Sequence, residues 1–262
     1  MTKNFISVLI TNYNKQKFIK KSLQSIFNQK FKNYEIILFD DVSSDNSKKI
    51  IKKFKKIKLI ENKKKKSTSS PLNQIYGINK AFKRSKGNLI CLMDADDYFK
   101  NNKLKIVNKE FGKKETINSL YNLPKISQNK FFLKKNKIFK SIWPTIFPTS
   151  CITLSRNSFK KFLKYSKSND YPNLEIDARI TIFYKFYLNE YNVLYKDLTV
   201  YNFDKDGITS KVKKYSKNWW FRRVEAYDYL KFIMKEKNIN FTPNPDYIIT
   251  LILSSIFKFL LK

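Results

Sequence analysis

Apolar and polar positions along the first hundred residues follow two alternating rhythms. Short β-branched or apolar runs stand at Ile6–Thr11 (ISVLIT), Glu35–Phe39 (EIILF), Ile57–Ile60 (IKLI) and Asn88–Met93 (NLICLM). Their continuous hydrophobicity is that of strands buried on both faces of a parallel sheet. Between them the period lengthens. Lys15–Gln29 places Phe18, Ile19, Leu23, Ile26 and Phe27 on one helical face. SSDNSKKIIKKF starts a helix, with Ser43, Ser44 or Asp45 as its cap and Ile50, Ile51 and Phe54 as its stripe. Leu72–Arg84 turns Leu72, Ile75, Ile78 and Phe82 inward. Strand and helix in alternation predict a doubly covered parallel sheet.

Past Lys100 the pattern loosens. Residues 110–200 mix aromatic strand-like runs, Pro144, Pro148 and Pro172, and one further helical stretch, Ile176–Leu188. The C-terminal YIITLILSSIFKFLLK is apolar on most faces, too short to span a bilayer and basic at its end. Three segments are expected: 1–110 and 111–210 as two halves of one domain, and 211–262 as a helical C-terminal extension.

Composition narrows the chemistry. The chain has 262 residues, 42% of them hydrophobic, enough for a substantial core. Its formal net charge of +33 admits three readings: an AT-rich coding bias, attraction to an anionic membrane, or nucleic-acid binding. The cations are nearly all lysine, with five arginines in the chain, which weighs against base-edge reading. There is no histidine and there are only two cysteines, so His-dependent triads and Cys/His metal sites are excluded. Any metal must take oxygen ligands, which favours Mg²⁺ or Mn²⁺. Four glycines in no phosphate-loop pattern argue against P-loop and dinucleotide chemistry. No signal-peptide core is evident in MTKNFISVLITNYN, so a cytoplasmic protein is expected.

The unusual polar residues fall at predicted strand ends: Thr11–Asn14, Asp40–Asp41, and Asp94, Asp96 and Asp97. Ligands of open parallel sheets bind beyond those ends. Alternate side chains of an extended stretch project the same way, so Asp94 and Asp96 can converge on a cation that neutralises phosphate. Their competing role is to cap a helix beginning at Tyr98. Tyr13 offers a stacking face and Asp41 an acceptor for a base N–H.

ISVLITNYN, LFDDVSSDNS, GINKAFKRSKGNLICLMDADD and LEIDAR, in that order, resemble the family 2 glycosyltransferases. The likeness is close over the first hundred residues and thinner beyond. It implies a GT-A fold: a Rossmann-like, mostly parallel α/β sheet flanked by helices, with an acceptor-side region and a helical tail. It implies inverting transfer from a nucleotide-sugar, a UDP-sugar in the usual case, to a glycan or lipid-linked acceptor. Thr11, Tyr13, Asn14 and Asp41 would hold the nucleoside, Asp94 would lie near the ribose, and Asp96 would bind Mn²⁺ or Mg²⁺. Asp177 would be the general base, against the plainer role of a first-turn carboxylate favoured by its helix. Asp204, in YNFDKDGITS with Thr209, stands about where members carry a histidine that closes over the diphosphate. Lys63–Lys66 would replace a diphosphate-binding arginine as point charges. PTSC, with Thr149 and Ser150, falls at the acceptor pocket, where Trp143 would stack on a sugar. Trp219 and Trp220 beside Arg222 and Arg223, with the apolar tail, suggest docking to an anionic membrane; the tail's competing roles are a core helix or a dimer contact. Two readings from other classes remain, a basic nucleic-acid-binding module and a sugar nucleotidyltransferase. The first would show a steep salt dependence.

Overall fold

The structure, a computed structural model, describes residues 4–113, 117–126, 142–202, 204, 207, 210 and 212–259. The four predicted strands form as β1 (Ile6–Asn12), β2 (Tyr34–Asp40), β3 (Ile57–Glu61) and β4 (Leu89–Asp94), all mutually parallel. The helices between them are α1 (Ile19–Phe27), α2 (Ser47–Ile51) and α3 (Ser70–Arg84). β5 (Tyr98–Phe99), α4 (Lys103–Lys113), β6 (Ser119–Ile126), β7 (Ile152–Ser155), α5 (Arg156–Tyr165), α6 (Ile176–Ile182) and β8 (Val193–Tyr201) follow. Two final helices are α7 (Lys217–Lys235) and α8 (Pro245–Phe259). The eight strands make one sheet in the order β3-β2-β1-β4-β7-β6-β8-β5, with β7 antiparallel to both β4 and β6.

Burial explains the continuous apolar runs. Ile6, Val8 and Ile10 of β1 and Cys91 and Met93 of β4 face one core, against Ile19, Leu23 and Ile26 of α1 and Leu104 and Val107 of α4. Leu9, Ile90 and Leu92 face the other core, against Ile75, Ile78 and Phe82 of α3 and Phe159 and Phe162 of α5. α7 joins that second core through Tyr227, Tyr229, Leu230 and Ile233. Gly77 of α3 packs on Phe39 so closely that an added Cβ would lie 2.5 Å from its Cδ1. Only glycine lets α3 approach β2 at that point.

Four local expectations change. No helix starts at Tyr98: Tyr98–Phe99 pairs antiparallel with β8, so the acidic triplet ends a strand and turns into another. α1 begins at Ile19, because Lys15–Phe18 forms a turn closed by Phe18 N donating to Lys15 O at 2.9 Å. The helix that could have begun at Tyr98 begins instead at Lys103, as α4; its Lys103 is fully buried, an unusual place for lysine. The Lys103 ammonium donates to Ser150 O (2.5 Å) and Thr199 Oγ1 (2.9 Å), joining α4 to the loop before β7 and to β8. Ile176–Leu188 is helical but changes at Phe183 into a π-type turn.

Arg179 of α6 is wholly buried and, among the described residues, faces no carboxylate at hydrogen-bond distance. Its Nε donates to Leu174 O, Nη1 to Ser166 O and Lys167 O, and Nη2 to Asp170 O and Tyr171 O, at 2.6–3.1 Å. One guanidinium thus shapes the loop that leads into α6. Arg179→Lys should lower stability by about 3 kcal/mol or more, since an ammonium leaves several buried carbonyls unpaired. Urea unfolding of both proteins measures this; equal midpoints would remove Arg179 as the organiser of the loop.

Candidate active site

The C-terminal ends of β1, β2 and β4 open into a cleft of about 640 Å³, a size suited to a nucleotide-scale ligand. Its lining includes Thr11, Tyr13, Asn14, Asp41 and Asp94, together with Asp96 and Asp204. Asp177, at the start of α6, lines the same cleft with Thr149, close enough for its charge to act on Asp94. Residues far apart in sequence are therefore brought to one crevice.

The adjacent carboxylates Asp40 and Asp41 divide their roles. Asp40 is fully buried; its Oδ1 accepts from Asn12 Nδ2 (2.7 Å) and its Oδ2 from Ser43 N (3.0 Å), locking two loops together. Asp41 faces the cleft and accepts from Asn62 Nδ2 (2.9 Å). Val42 between Asp41 and Ser43 holds φ at 60°, a costly state for a β-branched residue. Ser43 does not cap α2. Its Oγ instead accepts from Asn12 Nδ2 and Asn14 N (3.1 and 3.0 Å). Asn14, itself at φ 52°, uses its side-chain oxygen to accept from Ser44 N (2.8 Å). It lines the cleft, with its carboxamide engaged in fixing the loop wall.

Asp94 accepts from Gln74 Nε2 (2.7 Å) and Thr11 Oγ1 (3.4 Å), and its backbone N donates to Ser150 Oγ (2.9 Å). Ser150 is thus a brace beneath β4, fully buried, while Thr149 reaches the cleft. Asp96 and Asp204 both pair with the Lys15 ammonium, Asp96 at 2.6 Å. Tyr13 is 44% exposed, and Lys65 Nζ sits 3.5 Å over its ring, so one lysine of the Lys63–Lys66 run lines the cleft. Trp143 is placed elsewhere: its Nε1 donates to Asp246 Oδ2 (3.1 Å) and its ring meets Tyr227 edge-on, against α7 and α8. Thr209 lies outside the described residues.

Sequence reading missed three charged groups here. Lys15 stands among 54 basic residues with nothing in its neighbourhood to distinguish it. Glu175, two residues before Asp177, is 5% exposed, and its Oε2 lies 2.7 Å from Arg222 Nε of α7. Arg222 lines the cleft rather than an outer face, which corrects its expected membrane role. Trp220 is likewise buried, and Arg223 pairs with Asp246.

Burial, then the charges on Asp96 and Asp177, pushes the Asp94 carboxyl up to about 7. Burial pushes Glu175 up to about 7 against the pull of Arg222, and it raises Asp177 against the same guanidinium. Within a strongly basic protein this cleft holds an excess of negative charge. Such a place suits a cation. Two carboxylates already converge on the Lys15 ammonium, and hard oxygen donors match Mg²⁺ or Mn²⁺. Among the described residues no three acidic, His or Cys side chains cluster closely enough to hold a metal unaided. The fit is to an ion that keeps waters or phosphate oxygens as its other ligands.

The sequence model of glycosyl transferase family 2 matches residues 7–190. The chain belongs to this family. Over 141 residues it is 33% identical to a dolichyl N-acetyl-α-D-glucosaminyl phosphate 3-β-D-2,3-diacetamido-2,3-dideoxy-β-D-glucuronosyltransferase of Methanococcus voltae, covering 48% of this chain and 41% of that protein. Over 103 residues it is 31% identical to the Escherichia coli UDP-Glc:α-D-GlcNAc-diphosphoundecaprenol β-1,3-glucosyltransferase WfgD, covering 38% of each. The match thus spans about two-fifths of the length of these two relatives. In fold, this family 2 glycosyltransferase is similar to S. aureus TarS solved with UDP-GlcNAc (TM-score 0.63, 16% identity, 97% of this chain and 71% of that one). It is also similar to the mannosyltransferase PcManGT of Pyrobaculum calidifontis solved with GDP-Man and Mn²⁺ (TM-score 0.59, 13% identity, 97% and 70%). The expected GT-A architecture is therefore present.

The raised carboxyls set a pH dependence. In the unfolded chain Asp94 ionises near pH 4, whereas the folded group holds its proton to about 7. Across that window the folded state binds the extra proton, so this group's stabilising contribution is lost as pH rises. With chelator present, Asp94→Asn should match the parent's melting temperature at about pH 4 and exceed it at about pH 8. A constant difference across that range would contradict the assignment.

Proposed function

We propose that this protein is an inverting glycosyltransferase, moving a sugar from a nucleotide-diphosphate donor, a UDP-sugar, to a hydroxyl of a glycan or lipid-linked acceptor. The observation that carries the reading is one cleft lined by Tyr13, Asp41, the Asp94/Asp96 pair and Asp177. The names of the M. voltae and E. coli relatives specify dolichyl- and undecaprenol-linked acceptors, which supports a lipid-linked acceptor here and a role in polysaccharide assembly on the cytoplasmic side of a membrane. TarS with UDP-GlcNAc and PcManGT with GDP-Man and Mn²⁺ support a nucleotide-sugar donor and a divalent cation.

Each residue then has a task. Tyr13 and Asp41 hold the nucleoside, by ring contact and by accepting from a base N–H, with Thr11 and Asn14 shaping the wall. Asp94, steadied by Gln74 and Thr11, lies toward the ribose. Asp96, with Asp204 opposite, would hold Mn²⁺ or Mg²⁺, which when bound neutralises the leaving diphosphate. Asp177 takes the proton from the acceptor hydroxyl as it attacks the anomeric carbon, and the donor's glycosidic bond to phosphate breaks on the far side. A single displacement of this kind inverts the anomeric centre and needs no protein nucleophile. Burial favours proton uptake by Asp177, while Arg222 keeps the carboxylate accessible.

Calorimetric titration with UDP, GDP, CDP and dTDP, with and without Mn²⁺, should show one diphosphate binding in a metal-dependent way, and Asp96→Ala should abolish the metal dependence. Asp177→Asn should keep that binding and lower transfer by roughly 100-fold or more, the scale of a lost general base. No binding of any nucleotide, or release of pyrophosphate from a triphosphate, would remove the proposal.

A further inference from the structure

α8 is turned inside out. A surface helix of a soluble domain buries its apolar stripe and shows its polar face to water. Here the described side chains that α8 buries are Thr250 and Ser254, both small and polar. Its outward stripe carries Ile248 (50% exposed), Ile249 (50%), Ile252 (54%), Ile256 (46%) and Phe259 (80%). The inward face is fixed by α7: Arg223 Nε donates to Thr250 Oγ1 (3.2 Å), and Tyr227 Oη donates to Asp246 Oδ2 (2.6 Å). A rotation that hid the isoleucines would break those bonds. The helix is neither a core element nor, at 15 residues, a membrane span.

Its surroundings indicate what covers it. Lys258 on α8 and Lys217 on α7 both approach the Phe221 ring, at 6.0 and 5.4 Å. Tyr215, 59% exposed, packs against Trp219 and lies under Lys214. Lys213, Lys214 and Lys217 stand beside this cluster, no residue from 211 to 223 is acidic, and none of residues 247–262 is acidic. An apolar stripe bordered by Tyr, Trp and lysine is the composition of a surface that sits in the headgroup region of an anionic bilayer. A second copy is a poor alternative, because pairing this face with itself would juxtapose Lys214, Lys217 and Lys258 in a chain already at +33.

We propose that the outward face of α8, with the Tyr215–Trp219 cluster beside it, docks the protein onto an anionic membrane. Ile248, Ile252, Ile256 and Phe259 enter the acyl boundary, while Lys214, Lys217 and Lys258 meet the lipid phosphates. The proposal rests on the glycosyltransferase reading only for its purpose, since docking brings the cleft to a lipid-linked acceptor.

The test is co-sedimentation of the full chain with vesicles of phosphatidylcholine alone or of phosphatidylcholine and phosphatidylglycerol at seven to three, beside light scattering and the nucleotide titration. The parent should pellet with anionic vesicles and be released by salt. Ile252→Glu with Ile256→Glu should weaken that binding by at least about 10-fold, because two apolar contacts are replaced by carboxylates. Both substitutions sit in water, so fold and nucleotide binding should be unchanged. Unaltered pelleting of the variant, no preference for anionic vesicles, or a dimer in solution that the substitutions dissolve would each overturn the proposal. Vesicle failure with nucleotide binding intact removes the docking face alone, whereas the converse removes the donor site alone.

Discussion

Carboxylates gathered in one buried cleft are the constraint around which this molecule is arranged. The end of β4 delivers Asp94, Asp96 and Asp97, and α6 brings Asp177 close enough to act on Asp94. In a cleft of lowered dielectric their repulsion costs far more than at a surface. Compensation comes from single, placed groups: Gln74 and Thr11 on Asp94, Lys15 between Asp96 and Asp204, and Arg222 beside Glu175. A strained Val42 and a fully buried Asp40 keep the facing loop from relaxing away. Strain and repulsion at the same site are signs of geometry retained for a task rather than for stability.

The sheet was legible because its strands are buried on both sides. Runs such as ISVLIT and LICLM admit few other environments, and the helices between them carry clean apolar stripes. The strand-end positions of Thr11, Asp41 and Asp94 follow directly from those boundaries. What escaped was set by contacts distant in sequence. α4 is anchored by Lys103, a residue no apolar pattern would place in a core, and its partners are 47 and 96 positions away.

The same distance hid half of the site's electrostatics. Lys15 reaches across to Asp204, 189 positions on, and looks like every other lysine until the loops are folded together. Arg222 was legible as part of a basic-aromatic run, but its direction was not: on one helix, neighbours Arg222 and Arg223 face the cleft and α8 respectively. Trp143 shows the converse, a residue whose type suggested sugar stacking and whose surroundings are α7 and α8. Residue type announces what a side chain can do, and only the third dimension says to what.

The attachment of Arg179 has a consequence for how such a protein can diverge. Its guanidinium grips backbone carbonyls of Ser166, Lys167, Asp170, Tyr171 and Leu174, and every amino acid carries that carbonyl. The shape of the loop is therefore largely decoupled from the identity of its side chains. Substitutions at the exposed Asn169, Asp170 and Pro172 can remodel the loop's surface while the arginine holds the path of the chain into α6. Innovation is permitted along the loop because it is forbidden at one position.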